Sequence, residues 1–332
     1  MLEKRILTGI KPTGSPHIGN YIGAIKPALS MADGFDGDAL FFVADYHAIT
    51  LIQNKKELRR LTDEVARTWI ASGLDVNKHL FYKQSDIQEI FELTWVLSCV
   101  CPKGWMNKGH AYKAIVSRNI DENNTDRDDG VNMGVFDYPL LMAADILLFD
   151  ASHVPVGKDQ LQHIEIARDL AKRFNQTFGH VFVEPEPVLD FGKEVIPGLD
   201  GRKMSKSYNN TIPLFEEKSK VRKKVMRIVT DSSLPDEPKD PDASIIFDMY
   251  KKLATDEEVC EFEKLFRNGI GWGDAKGILY EKIESVIAPV REKYFELEKD
   301  AKFVEDALAH GASVIRKKAI KKMKEVRKAV GI

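Results

Sequence analysis

The order of apolar and polar positions divides the chain into two parts of different character. In the first part, short apolar runs alternate with amphipathic stretches. Residues 39–44 (ALFFVA) form an apolar run of buried-strand length, and Ile6-Leu7, residues 80–82 and residues 153–156 read as further strands. Helical periodicity fills the gaps at 21–31, 55–72, 87–99 and 160–174. In the second of these helices Leu58, Leu61, Val65 and Trp69 share one face, and Gly73 is the stop. Strands and helices alternating at these lengths predict an α/β fold, a Rossmann-like doubly wound parallel sheet with right-handed crossovers. After Pro213 the period lengthens, and long helices are predicted over 215–230, 243–253, 256–266, 274–297 and 303–330. The expected organisation is an α/β domain over 1–213 followed by an all-helical C-terminal domain over 214–332.

Two stretches break the alternation. Residues 102–132 read as an insertion, and residues 119–130 are acidic with almost no apolar anchors, which predicts a mobile surface loop. Residues 138–149 (YPLLMAADILLF) are apolar nearly all round, so this helix should be buried, and Asp145 is the anomaly in it. A buried carboxylate is costly unless it is paired or hydrogen-bonded. It is either a structural acid bonded to neighbouring amides or one acceptor at the bottom of an apolar pocket. An indole has one donor and no acceptor, so such a pocket suits tryptophan.

Glycine-rich turns add chemistry to this frame. Lys11-Pro12-Thr13-Gly14 follows the first strand, and His17-Ile18-Gly19-Asn20 leads into the next helix. A strand, tight turn and helix N-terminus present backbone N–H groups and a positive dipole end to phosphate. Gly157-Lys158-Asp159-Gln160 repeats that arrangement, and His163 on the following helix reads as a surface or boundary residue. Lys203-Met204-Ser205-Lys206-Ser207 follows the flexible Asp200-Gly201-Arg202 turn. Ammonium groups on a mobile loop can close on a polyphosphate and gain most where charge develops in the transition state. Taken alone this is also an ordinary basic surface loop, and His17 alone an ordinary loop histidine; the pair of segments carries the meaning.

The 332 residues are 43% hydrophobic and 30% charged, enough for one large or two ordinary domains with buried cores. Net charge is −2, so no overall basic field points to nucleic acid. The distribution is uneven: from Arg316 to Lys328 there are eight Lys/Arg and one acid, Glu325. That run is a solvated helical face or, in a protein that holds RNA, a set of phosphate contacts. Cys99, Cys101 and Cys260 make no disulfide framework, and no apolar run reaches membrane-spanning length. The expected setting is soluble and cytoplasmic, with no membrane partner.

Together GIKPTG with HIGN, residues 43–50 (VADYHAIT), YPLLMAAD, VPVGKDQ with the following HIE helix, and GRKMSKS resemble the bacterial-type tryptophanyl-tRNA synthetases of class I. The nucleotide motifs point to the superfamily; YPLLMAAD and VPVGKDQ point to tryptophan. The resemblance implies ATP bound by Lys11, Pro12, Thr13, Gly19, Asn20, Gly157, Lys158 and Asp159, with Val195 beside the adenine. Residues Lys203, Met204, Ser205, Lys206 and Ser207 would close over the triphosphate, with Lys203, Lys206 and His17 as the catalytic groups. Asp145 would accept the indole N–H, Tyr138, Met142 and His47 would shape the pocket, and Gln160 would lie near the substrate amine or the nucleotide. The partners implied are tRNA(Trp), read by the C-terminal helices at its anticodon, and a second copy in a homodimer. ATP would enter with Mg²⁺ as substrate. No structural metal is expected, and the cysteines do not supply the four thiolates of an iron–sulfur cluster. Lys11 stands where the family commonly has glutamine and Lys158 where it has an acid, while 102–113 match poorly. The rival readings are a tyrosine-specific or tRNA-independent enzyme on the same scaffold, and a non-catalytic RNA-binding protein.

Overall fold

The computed structural model describes residues 4–157, 160–189 and 196–332. Five strands, β1 (Arg5–Ile10), β2 (Asp38–Val43), β3 (Leu80–Lys83), β4 (His153–Pro155) and β5 (Glu186–Val188), form one sheet in the order β3-β2-β1-β4-β5. Every pairing is parallel. After Asp38, β2 is apolar because both its faces are covered. Ala39, Phe41 and Val43 enter one core while Leu40 and Phe42 enter the other, the period-two alternation of a strand. β5 contains Pro187 and was not expected from the sequence; it is a sheet edge, where a missing N–H is tolerated.

The helices run in order α1 (Ile18–Asn20), α2 (Lys26–Asp33), α3 (Asp45–Ile49), α4 (Lys55–Ala71), α5 (Glu89–Val100), α6 (Lys103–Met106) and α7 (His110–Asp121). They continue as α8 (Met133–Leu147), α9 (Leu161–Phe178), α10 (Lys218–Val225), α11 (Ile245–Lys251), α12 (Asp256–Asn268), α13 (Trp272–Lys299) and α14 (Ala301–Val330). Three expectations change. The helix predicted over 21–31 is a π-helical turn at Tyr21–Ile25 running into α2. The helix predicted over 215–230 shrinks to α10. The 102–132 insertion holds α6 and α7, and its acidic run is tied down. Buried Asn119 donates from Nδ2 to the carbonyls of Arg127 (2.9 Å) and Asp129 (2.8 Å), and Tyr112 donates to Asp128 (2.8 Å). One buried amide satisfying two carbonyls anchors a loop that no apolar residue holds.

The first core joins α2 and α4 to α13 under one face of the sheet; α5, α8 and α9 cover the other. α14 crosses from one to the other at the β3 edge. Its Val304 and Leu308 belong to the first core, and Ala312, Ile315, Ala319, Met323 and Val326 to the second. The crossing point is Gly311, where a Cβ would lie 1.9 Å from the carbonyl oxygen of Phe81. Gly311→Ala would improve helix propensity by about 1 kcal/mol, yet the backbone it meets is a strand in a packed sheet. We expect a net loss of about 1–3 kcal/mol, read as a lower urea midpoint; a raised midpoint would show that the helix lifts off without cost.

Half of the C-terminal basic run fastens this helix. Arg316 pairs with Glu89 (3.1 Å), Lys322 with Asp150 (2.9 Å), Lys318 with Asp38 and Arg327 with Glu92. No helix among the described residues is long and apolar enough to cross a membrane.

Candidate active site

β1 lies between β2 and β4, so the connections leave it in opposite directions, and the crevice at the carboxyl end of such a switch point is where open α/β sheets bind ligands. A cavity of about 320 Å³ opens there, lined by Gly9, Lys11, His47, Tyr138, Met142, Asp145, Gly157 and Gln160 among others. Its size is at the lower end for small-molecule pockets, which run from about 300 to 1,000 Å³. Gly9 is required at its base: a Cβ there would meet the Phe42 ring at 2.4 Å.

Asp145, on the cavity side of α8, is fully buried. His47 Nε2 lies 2.9 Å from Oδ2, and Gln84 Nε2 donates to Oδ1 (2.9 Å) and Oδ2 (3.0 Å). Burial pushes its pKa up, and the His47 and Gln84 contacts pull the other way. Gln84, directly after β3, is oriented by accepting on Oε1 from the backbone N–H groups of Tyr46 (3.1 Å) and His47 (3.3 Å). Its Nε2 therefore has to face Asp145. Tyr138 donates to Gln160 Oε1 at 2.6 Å and meets the His47 ring edge-on at 5.0 Å. His163, expected near the surface, is buried against Tyr138, with ring centroids 4.7 Å apart. Lys11 lines this same cavity, donating to Thr50 Oγ1 (3.1 Å), and burial lowers its pKa.

The second group lies across β1. His17 caps α1, its backbone N–H donating to Asn20 Oδ1 at 3.1 Å. Residues 212–214 run antiparallel beside it: Ile18 N–H donates to Ile212 O (3.0 Å) and Leu214 N–H to Pro16 O (3.1 Å). This pairing brings two segments nearly two hundred residues apart into contact. Met204 is buried and lies close beside Gly19 and His17. Lys206 is exposed as a residue, but its ammonium lies against the turn, 2.9 Å from where a Gly14 Cβ would stand. Lys203 is exposed. Asn210, buried at the loop's centre, accepts from Ser205 N–H (2.8 Å) and donates to Asp200 Oδ1 (2.7 Å) and Lys203 O (3.2 Å). Pro12, Thr13 and Asn20 lie on the same turn and helix start as His17, and Ser207 in the 3₁₀ turn Lys206–Tyr208. Lys158, Asp159 and Val195 lie outside the described residues.

His17 is held neutral. Burial pushes its pKa down from 6.5 to about 4, and the Lys206 ammonium acts in the same direction. The unfolded chain takes up the proton near 6.5, so this group's stability is full above that pH and is lost as pH falls towards 4. The loss amounts to about 3 kcal/mol, each pKa unit being about 1.4 kcal/mol. We expect urea midpoints to fall across this window, less steeply in His17→Asn; identical pH profiles would remove the group from the account. Pyrophosphate bound beside the ring should raise the His17 titration midpoint in proton NMR.

A turn at a switch point, a neutral histidine and a lysine loop paired beside it describe a nucleotide site next to a small buried pocket. Residues 3–288 match the family model of the class I tRNA synthetases (W and Y). The chain belongs to that family. The synthetase is 48% identical to the tryptophan–tRNA ligase of Neisseria meningitidis serogroup A, over all of this chain and 99% of that one. It is 51% identical to the tryptophan–tRNA ligase of Bordetella parapertussis, over all of this chain and 74% of that one. Its fold superposes on the crystal structure of tryptophanyl-tRNA synthetase from Campylobacter jejuni complexed with ADP and tryptophan, with a TM-score of 0.89 at 38% identity, covering 99% of this chain and all of that one. Gln84, Asn210 and Thr50 escaped the sequence reading. Gln84 had a signal available, since it stands at the carboxyl end of a strand, and so did Thr50, the last residue of the VADYHAIT segment.

Proposed function

We propose that this chain charges tRNA(Trp) with L-tryptophan in two steps. Tryptophan carboxylate attacks the α-phosphate of ATP, pyrophosphate leaves, and a terminal ribose hydroxyl of the tRNA then attacks the adenylate carbonyl and releases AMP. The observation that carries the reading is the state of Asp145. An ionised carboxylate offers about four lone-pair sites; His47 and Gln84 take three, which leaves one on Oδ1, and Asp145 lines a largely apolar cavity. One acceptor in an apolar pocket matches an indole with its one N–H. His47, Tyr138 and Met142 wall that pocket, and Gln160 and Lys11 face the polar end of the amino acid.

Nothing in this chemistry requires a covalent enzyme intermediate, so catalysis is positioning and charge stabilisation. The turn from Lys11 to Asn20, with Gly157, Lys158, Asp159 and Val195, holds ATP, and His17 donates to a phosphate oxygen. The Lys203–Ser207 loop closes on the leaving pyrophosphate. Mg²⁺ enters with ATP as part of the substrate. Residues 1–213 hold ATP and tryptophan, and residues 214–332 meet the anticodon. A second copy covers the face where Tyr46, Phe91, Thr94 and Leu141 line a groove beside the amino-acid pocket and Trp95 is 72% exposed. Sedimentation equilibrium at the monomer mass would remove that contact. The reading places the protein in the cytoplasm. Aminoacylation with labelled tryptophan, with ATP–pyrophosphate exchange across all twenty amino acids, tests the function; tyrosine-dependent exchange would replace it.

A further inference from the structure

α14 has already spent Arg316, Lys318, Lys322 and Arg327 on acids of the α/β half. Four lysines of its 316–328 run are left over: Lys317, Lys321, Lys324 and Lys328 are exposed, and none has an ion pair among the described residues. Their spacing of four, three and four puts them on one face of the helix. At 1.5 Å per residue they make a straight row about 16 Å long. Like charges at these spacings weaken a helix, so the row costs stability unless something neutralises it. Glu325, on the flank of the row, does not: its carboxylate turns to Lys322 at 3.2 Å.

We propose that this row is a phosphodiester rail that holds the tRNA backbone without reading sequence. A point charge on a flexible stem suits phosphate, and phosphate contacts fix register without specifying bases. The helix is rigidly based, because its opposite side is pinned across the sheet edge at Gly311. The rail rests on the reading of the protein as a tRNA-charging enzyme, and it separates the basic run into a fastening set and a binding set.

The test is a variant with Lys317, Lys321, Lys324 and Lys328 all changed to Gln, which keeps helix propensity. Filter binding of a tryptophan-accepting tRNA transcript is measured from 50 to 200 mM salt. Four lost phosphate contacts should flatten the slope of log affinity against log salt by about 3, so the variant loses on the order of 10² less affinity across that range than the parent. Tryptophan-dependent ATP–pyrophosphate exchange should be unchanged, which shows that the fold and the activation site are intact. An unchanged salt slope overturns the rail. So does a loss of affinity at unaltered slope, since that marks a structural effect. Absence of tryptophan-dependent exchange in the parent defeats the charging reading separately, because the binding slope is read without it.

Discussion

Asp145→Ala should collapse the preference for tryptophan over phenylalanine in ATP–pyrophosphate exchange, from about 10⁴–10⁵ to within about 10² in kcat/KM, if the pocket discriminates as other sites built to satisfy one substrate hydrogen bond do. In the parent protein, phenylalanine fills the apolar walls but leaves the open Oδ1 position unpaired. Removing the carboxylate removes that penalty and tryptophan's advantage together. It also strips His47 and Gln84 of their shared acceptor. Breaking a buried polar pair from one side costs about 3–5 kcal/mol, so the melt must be measured beside the kinetics. Asp145→Asn keeps the volume and one acceptor oxygen, and Gln84, held by two backbone N–H groups, still aims a donor at it. It should retain more stability than the alanine variant. A variant that folds and keeps its full preference for tryptophan would remove Asp145 from recognition.

Lys206→Ala is expected to lower the rate of adenylate formation by about 10²–10³, the usual cost of removing one preorganised donor to developing charge. The KM for ATP should move only a few-fold. The reason lies in where the ammonium waits. Burial lowers its pKa while the Glu64 carboxylate opposes that shift, and Glu64 itself is tied to Ser15 (3.0 Å) and Arg60 (2.8 Å). The charge is thus partly desolvated against the Gly14 turn before substrate arrives. A developing pyrophosphate is the group best able to take it up. Equal losses in rate and in ground-state ATP affinity would reduce Lys206 to a binding contact.

The doubly wound sheet was legible because its causes are local: the both-sided burial of β2, the amphipathic α4 and α9, and the turns at Gly14 and Gly157. Asp145 stood out because an acid inside an all-apolar helix has few explanations. Of its partners, His47 entered only through the family resemblance and Gln84 not at all, since Gln84 comes from another strand end and His47 from a short helix, and only the closed sheet brings the three together. Asn210 gave no signal at all; a polar residue after a basic loop is unremarked until its amide is seen holding Asp200, Lys203 and Ser205. The basic run was legible as charge but not as two sets. Which lysines turn inward depends on acids at positions 38, 89, 92 and 150, far away in the chain. Residues 119–130 failed for the same reason in reverse, because one buried asparagine orders what composition marks as loose.

The crossing of α14 over β3 has a consequence for synthesis on the ribosome. β3 emerges roughly two hundred residues before the helix that lies across it. Until then the sheet ends in an uncovered strand, with Phe81 and Tyr82 facing two incomplete cores. An open, apolar strand edge is the feature that nascent chains most need shielded from one another. The α/β half therefore cannot reach its finished state in chain order. It waits for the last helix, and a chaperone that binds extended apolar segments has that interval in which to act.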